Sequence, residues 1–140
     1  MRVMVMVKAT ADSEASRMPT RELLDAMGKF NEELIKAGVM LTGEGLKASS
    51  NGKRVAFDGP SRTVTDGPFA ETRELVAGFW LWEVKDMAEA VEWVKRCPNP
   101  MFGPSEIEIR PVVEAADFGE LLEPGLGEQI DKLREKTNGS

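Results

Sequence analysis

The sequence predicts an α+β fold, a ferredoxin-like βαββαβ sandwich whose antiparallel sheet carries an inserted β-hairpin. Three observations lead to this prediction. The 140 residues suit a single domain. Segments follow one another in the order strand, helix, strand, hairpin, strand, helix, strand. The first and the strongest of the predicted strands are apolar on both faces, so the helices of such a sandwich can cover only one side of the sheet.

The first elements are a strand, a loop and a helix. Residues 2–8 alternate valine with methionine and predict a strand. Residues 9–19 are small and polar, and we expect a loop there. Thr20 is expected to cap a helix over residues 20–37, because apolar residues recur there at helical spacing: Leu23, Leu24, Met27, Phe30, Leu34 and Ile35. Gly38 is expected to end the helix, because glycine readily adopts the left-handed conformation found there.

A second strand and a hairpin are expected next. Residues 39–46 predict the strand, and a turn-rich segment follows it. Residues 54–58 and 62–65 predict two short strands joined through Gly59-Pro60. We therefore expect a β-hairpin inserted between the second and third strands of the main sheet.

The last elements complete the sandwich. Residues 75–84 are the strongest predicted strand, because Gly78-Phe79-Trp80-Leu81-Trp82 is apolar on both faces. Asp86 is expected to cap a helix that ends near residue 96, with Glu89 completing a capping box. We expect this helix to bury Met87, Ala90, Val91 and Val94. Residues 105–112 predict the final strand, with Ile107 and Ile109 on one face and Glu106, Glu108 and Arg110 on the other.

The end of the chain is expected to differ from the rest. We predict that residues 1–120 form the domain and that residues 121–140 form a C-terminal tail. The tail is expected to contain a short helix around Ile130 to Lys136 and to fray over its final Asn-Gly-Ser.

The composition excludes several kinds of chemistry. The chain has no histidine, no tyrosine and one cysteine, Cys97, so Ser-His and Cys-His arrangements and an internal disulfide are excluded. Acid–base chemistry must then rest on carboxylates, lysine or arginine. The net charge of -6 and the scattered basic residues argue against a nucleic-acid partner. No apolar run approaches the roughly 20 residues of a membrane span, and we expect a soluble, cytoplasmic protein.

The second face of the sheet predicts a partner. The helices leave Met4, Met6 and part of residues 79–82 uncovered, and an exposed patch of this kind promotes aggregation of a monomer. We expect a homodimer that packs sheet against sheet and that can assemble into a higher oligomer. A lipid-like or aromatic ligand is the alternative cover. The interface is expected to be apolar around Met4, Met6 and the strand of Trp80, and to become polar toward residues 105–110.

Several strings along the chain resemble one known family. They are Glu44-Gly45-Leu46, Thr65-Asp66-Gly67-Pro68-Phe69 with Glu71 beyond it, Gly78-Phe79-Trp80, Arg96-Cys97-Pro98, and Glu108-Ile109-Arg110-Pro111 closed by Asp117-Phe118. In this order they resemble the DGPF group of the YCII-related family, from residue 1 to about residue 120. The resemblance implies a ferredoxin-like fold that assembles as a dimeric α+β barrel.

The resemblance implies little about activity. Better-known YCII proteins carry a histidine–aspartate pair proposed to be catalytic, and this chain has no histidine to supply it. Some relatives of the DGPF group are associated with sigma factors. That association implies a regulatory role as one alternative, without direct DNA binding by this acidic chain.

Three carboxylates are the candidates for chemistry. Glu44 lies between two glycines, where a ligand can approach the backbone closely, and Asp66 and Glu71 could meet it at one end of the sheet. Clustered carboxylates shuttle protons or bind hard cations, although no spacing here indicates a metal or a cofactor site. Asp66 could instead cap its own turn, and Arg62 or Arg73 could pair with the carboxylates in an inert network.

Two functions remain open at this stage. The first is a small-molecule site near the dimer interface, with carboxylate-based acid–base catalysis as its possible reaction. Its expected ligand-binding residues are Glu44, Asp66, Phe69, Glu71 and Trp80. The second is a non-catalytic module that binds another protein or regulates it.

Overall fold

The computed structural model describes residues 1–121 and 125–138. The strands are β1 (Arg2–Lys8), β2 (Met40–Gly45), β3 (Lys53–Asp58), β4 (Ser61–Asp66), β5 (Val76–Glu83) and β6 (Ile107–Pro111). The helices are α1 (Ala11–Glu14), α2 (Arg21–Lys36), α3 (Met87–Lys95) and α4 (Leu126–Asn138). No helix within these described ranges has the length and the apolar character needed to span a membrane.

The main sheet has the strand order β2-β5-β1-β6, and every neighbouring pair is antiparallel. Strands β3 and β4 pair with each other in a separate two-stranded sheet. Counting only the strands of the main sheet and the two helices α2 and α3, the chain order is βαββαβ. This arrangement confirms the predicted ferredoxin-like sandwich and its inserted hairpin.

One face of the sheet packs against the helices. Val3 of β1 lies opposite Trp82 of β5, and Val5 lies opposite Trp80. These four side chains are buried, and Trp82 is fully enclosed. Since alternate residues of a strand share a face, this register places both tryptophans on the helix side of the sheet.

The helices contribute an aromatic and aliphatic layer to the same core. Phe30 of α2 contacts Trp80, Trp82 and Trp93 edge to face, with ring centroids 6.0 to 6.4 Å apart. Leu34, one helical turn after Phe30, has no exposed surface. Edge-to-face packing of this kind adds to the stabilisation that comes from removing apolar surface from water.

The opposite face of the sheet is covered only at its margin among the described residues, where Arg2 of β1 pairs with Glu114, which also binds Arg134 of α4. We call it the open face, and its apolar centre consists of Met4, Met6, Phe79 and Leu81. Glu108 lies opposite Met6 and Arg110 lies opposite Met4 on β6. The polar border that we expected toward residues 105–110 is therefore present, while Ile107 and Ile109 pack toward the core as predicted.

The predicted loop over residues 9–19 contains the short helix α1, so this prediction was wrong over residues 11–14. The Thr10 hydroxyl accepts a hydrogen bond from the Ser13 N–H, and the Ser13 hydroxyl accepts one from the Thr10 N–H. This reciprocal pair satisfies amide groups that would otherwise lack a partner at the helix start. A short polar segment can thus form a helical turn without an apolar stripe.

Three predicted core residues are exposed instead. Leu24 and Ile35 of α2 keep 58% and 61% of their surface accessible, and Val91 of α3 keeps 37%. Phe30 and Leu34 occupy the centre of the α2 stripe, and Leu24 and Ile35 lie at its margins, outside the packed core. On α3 the indole of Trp93 packs against the core, beside the buried Ala90.

The predicted helix ends agree with the structure. The Thr20 hydroxyl accepts the Leu23 N–H at 3.1 Å, and Gly38 has a φ of 70° just after α2. The Asp86 carboxylate accepts the Glu89 N–H at 2.9 Å. The Glu89 carboxylate accepts the N–H of Lys85 rather than that of Asp86, so the expected capping box is displaced by one residue.

Helix α4 is longer than the expected Ile130–Lys136 helix, and an ion-pair network attaches it to the sheet. The Glu114 carboxylate accepts hydrogen bonds from the guanidinium of Arg2 at 3.0 to 3.1 Å and from that of Arg134 at 2.5 Å. Arg2 lies in β1 and Arg134 in α4. Asn138 lies in α4, and Gly139 and Ser140, which we expected to fray, lie outside the described residues.

Candidate functional site

A cavity of about 370 Å³ lies between α2 and the β2 edge of the sheet. We call it the helix-side cavity, and its volume falls within the range of small-molecule sites. Its walls include the side chains of Leu23, Leu24, Met27, Met40, Trp80 and Met101. Leu24 is exposed because it borders this open space rather than packing against another side chain.

Glycines allow the sheet to approach the indole at the cavity wall. A Cβ atom on Gly43 would lie 2.5 Å from Cδ1 of Trp80, and one on Gly78 would lie 3.2 Å from the carbonyl oxygen of Glu44. Any larger residue at position 43 would therefore displace the Trp80 ring. Gly43, which precedes Glu44, thus serves the packing of Trp80, a role that the sequence alone did not identify.

One hydrogen-bonded pair of polar groups faces this mainly apolar cavity. The Trp80 indole N–H donates a hydrogen bond of 2.9 Å to Oδ1 of Asn31, and both residues line the cavity. The Asn31 amide nitrogen has no hydrogen-bond partner among the described residues. An amide with a free donor beside apolar walls can orient a ligand through a single acceptor atom.

A second cavity of about 430 Å³ adjoins the first. The two share Pro19, Ala77, Pro100 and Met101 as wall residues. Met101 is positioned by Thr10, whose hydroxyl donates to the methionine sulfur at 3.5 Å. The second cavity also contains the charged residues Asp12, Arg17 and Lys47.

Only two of the predicted ligand-binding residues border the helix-side cavity. Trp80 forms part of its wall, and Glu44 lies on the adjoining edge strand. The register pairs Glu44 with Phe79, whose side chain belongs to the open face, so the Glu44 side chain points to that face as well. Trp80 lies on the helix side, away from the face where we expect the dimer interface.

The other three predicted residues lie outside this cavity. Asp66 ends β4 and keeps 75% of its side chain exposed, with its carboxylate paired to Lys53 at 2.5 Å. Asp66 therefore pairs with Lys53 and not with Arg62 or Arg73, the arginines that we considered. Its carboxylate accepts a hydrogen bond from the Lys53 side chain rather than from its own turn. Glu71 is exposed and makes no capping hydrogen bond to the turn that follows it.

Phe69 belongs to a structural contact between three segments. Its N–H donates to the Ser49 hydroxyl oxygen at 3.0 Å. The N–H of Ser49 donates to the Glu14 carboxylate at 2.9 Å, and the Ser49 hydroxyl donates to the other oxygen of the same carboxylate. The Arg54 guanidinium covers the Phe69 ring at 3.9 Å. The Asp-Gly-Pro-Phe string therefore attaches the hairpin to α1 and to the turn at residues 49–51.

Gly67 should be the least replaceable residue of that contact. An added Cβ would lie 1.8 Å from the carbonyl oxygen of Ser49. Because this oxygen belongs to the backbone, it cannot move away without a loss of stability. We expect Gly67→Ala to lower the free energy of unfolding by about 1 to 3 kcal/mol. Denaturant titration measures this, with Gly103→Ala as the matched control because a Cβ there meets nothing within 4 Å. Equal stability of the two variants would contradict the packing described here.

Among the described residues, neither the cysteine nor the carboxylates form a recognisable catalytic centre. Burial raises the pKa of Cys97 to about 11, which keeps the thiol neutral and poorly nucleophilic near pH 7. Across residues 1–121 and 125–138, no group of three cysteine, aspartate or glutamate side chains is arranged to hold a metal ion. What the described chain offers is the helix-side cavity, with the basic residues Arg17 and Lys47 in the second cavity beside it.

Sequence reasoning missed Asn31, Lys47 and Glu14. Asn31 is a polar residue on the α2 stripe, and its spacing of four residues from Met27 and three from Leu34 could have marked it as sharing their face. Lys47 and Glu14 carry no local signal. Their neighbours in the structure come from segments far apart in the sequence.

Two comparisons with known proteins bear on this site. A family model described as the YCII-related domain matches residues 1–116. No curated protein matches the chain.

Proposed function

The chain belongs to the YCII-related domain family, and from that premise we propose that it binds a small, mainly apolar molecule in the helix-side cavity. The observation that supports this most is the combination of apolar walls with the Asn31 amide beside the Trp80 indole. The amide nitrogen of Asn31 has no hydrogen-bond partner within the described part of the chain. Sites for small molecules commonly pair an apolar surface with a few polar atoms that fix orientation.

Binding, rather than acid–base catalysis, is the activity that we propose. Glu44, Asp66 and Glu71 are all exposed, and none is enclosed by the helix-side cavity. General acids in enzymes are commonly carboxyl groups in apolar surroundings. Catalysis would require a second subunit to enclose Glu44 on the open face.

We also propose that two copies of the chain associate through the open face. Met4, Met6, Phe79 and Leu81 form a continuous apolar centre, and Glu108 and Arg110 carry opposite charges at its border. A two-fold axis through such a patch places each copy against the same surface of the other. The helix-side cavity then stays open at the sheet edge.

Blocking the cavity should abolish binding of a neutral apolar dye. We expect Leu24→Glu to weaken binding of N-phenyl-1-naphthylamine by about tenfold or more, because a charge without a partner would enter the apolar site. Dye fluorescence during titration measures the affinity. Ile35→Glu is the matched control, since Ile35 lies on the same helix with similar exposure but lines neither of the two cavities described.

Three results are decisive in that titration. Weak binding by Leu24→Glu alone supports the helix-side cavity as the site. Equal binding by the wild type and both variants would place the dye elsewhere, and equal loss in both variants would indicate a general effect on α2. Circular dichroism of each variant shows whether the helices are retained.

The exposed hairpin favours a second candidate function. Val55, Phe57 and Val64 of β3 and β4 keep 48%, 71% and 59% of their surface accessible. An isolated two-stranded hairpin is marginally stable in water, so a partner protein that covers these residues would stabilise it. If this alternative holds, Phe57→Ser should abolish recovery of a partner from the native cell and leave dye binding unchanged.

A further inference from the structure

The residues of the second cavity indicate the chemical class of the ligand that binds in the helix-side cavity, and this inference rests on the proposed function. We propose that the ligand is an anionic amphiphile. Its apolar body occupies the helix-side cavity, and its carboxylate or similar anionic group lies beside Lys47 in the second cavity.

Shared walls support a single elongated ligand. Pro19, Ala77, Pro100 and Met101 line both cavities, so the two cavities lie side by side with these residues at their common boundary. Their side chains are apolar, and a hydrocarbon chain can pass between them without leaving a polar group unsatisfied. The first cavity offers Leu23, Leu24 and Met27 to such a chain.

The charges at the far end favour an anion. Arg17 is paired with Asp12 at 3.4 Å, and its guanidinium lies over the Phe102 ring at 3.7 Å. Lys47 has no ion pair and no hydrogen bond within the described part of the chain. The three charged residues that line this cavity therefore sum to one positive charge, although the whole chain carries -6.

This excess charge discriminates between head groups. An anionic group beside Lys47 completes an ion pair, a neutral hydroxyl gains less, and a cationic group is repelled. Because Lys47 is exposed, the pair should be weak and sensitive to salt. The apolar walls of the two cavities thus bind the hydrocarbon body of the ligand, whereas Lys47 selects its anionic head group.

Three probes with ten-carbon chains separate these contributions: decanoate and decyltrimethylammonium, each below its micelle concentration, and decanol, below its solubility limit. Displacement of N-phenyl-1-naphthylamine gives the affinities for the wild type and for two variants. Lys47→Gln removes the proposed charge and keeps a similar length. Lys29→Gln is the control, because Lys29 is an exposed lysine of α2 that lines neither cavity.

We expect the wild type to bind decanoate about threefold to fivefold more tightly than decanol at low salt, with the cationic probe weakest. The preference should disappear in Lys47→Gln and persist in Lys29→Gln. Equal affinity for decanoate and decanol, or a preference retained by Lys47→Gln, would overturn the inference while the cavity proposal stands. Failure of all three probes to displace a bound dye would also overturn the inference, whereas a wild type that binds no dye would overturn the proposed function.

Discussion

Trp82→Ala is expected to lower the free energy of unfolding by about 3 to 5 kcal/mol, a large fraction of the stability of a domain of this size. Trp82 is fully enclosed between Val3 of the neighbouring strand and the ring of Phe30. Truncation removes the apolar area of the indole and leaves a cavity that the sheet cannot close. Urea or guanidinium titration, followed by circular dichroism, measures the loss.

Trp82→Phe is the control that separates packing from hydrogen bonding. Within the described residues, the indole nitrogen of Trp82 is buried and has no hydrogen-bond partner. Phenylalanine loses some volume but also removes this unsatisfied N–H, so we expect its cost to stay within about 1.5 kcal/mol. A cost for Trp82→Phe equal to that of Trp82→Ala would show that the indole nitrogen makes an essential bond.

Met4→Lys is expected to convert the proposed dimer into a monomer, with an increase of about a hundredfold or more in the dissociation constant. Met4 lies at the centre of the open face, opposite Leu81 and Arg110. A two-fold interface would contain the new charge twice, and each lysine would lie near an arginine within an apolar contact. Sedimentation velocity over a range of concentrations measures the change.

Val91→Lys is the matched control for self-association. Met4 and Val91 are both 37% exposed, but Val91 lies on α3, on the other side of the sheet. We expect Val91→Lys to associate as the wild type does. A monomeric wild type at tens of micromolar would contradict the proposal, and dissociation caused by Val91→Lys alone would place the interface on the helices.

The order of elements could be predicted from the sequence because each element has its own local pattern. Valine and methionine alternate in β1, apolar residues recur at helical spacing in α2, and Thr20 and Asp86 precede the helices that they cap. Such signals depend on neighbours within a few residues. The resulting fold class agrees with the strand order that the structure shows.

The face of each strand could not be predicted in the same way. Trp80 and Trp82 must share a face, since they are two residues apart. However, Phe79, which precedes Trp80, and Leu81, which lies between the two tryptophans, are equally apolar. The pattern therefore does not say which pair faces the helices. The side of the sheet is decided by pairing with Val3 and by the contacts of Phe30, both of which are distant in sequence.

The candidate site was predicted only in part, because its residues meet through tertiary contacts. Glu44 and Trp80 were expected and do border the cavity, whereas Asp66 and Glu71 lie elsewhere. The exposed Asp66 pairs with Lys53 across the hairpin, a contact that depends on strand register. Lys47 and Met101 line the same cavity although they are far apart in the sequence, and no short motif predicts that arrangement.

The indole N–H signals of the three tryptophans test the central claim most directly. In a ¹H–¹⁵N correlation spectrum recorded during titration with decanoate, we predict that the signal of Trp80 shifts in proportion to occupancy. The signals of the enclosed Trp82 and of Trp93 should move much less, because neither residue lines the helix-side cavity. A stationary Trp80 signal, with shifts confined to the amides of Met4, Met6 and Leu81, would contradict the proposed site and place the ligand on the open face.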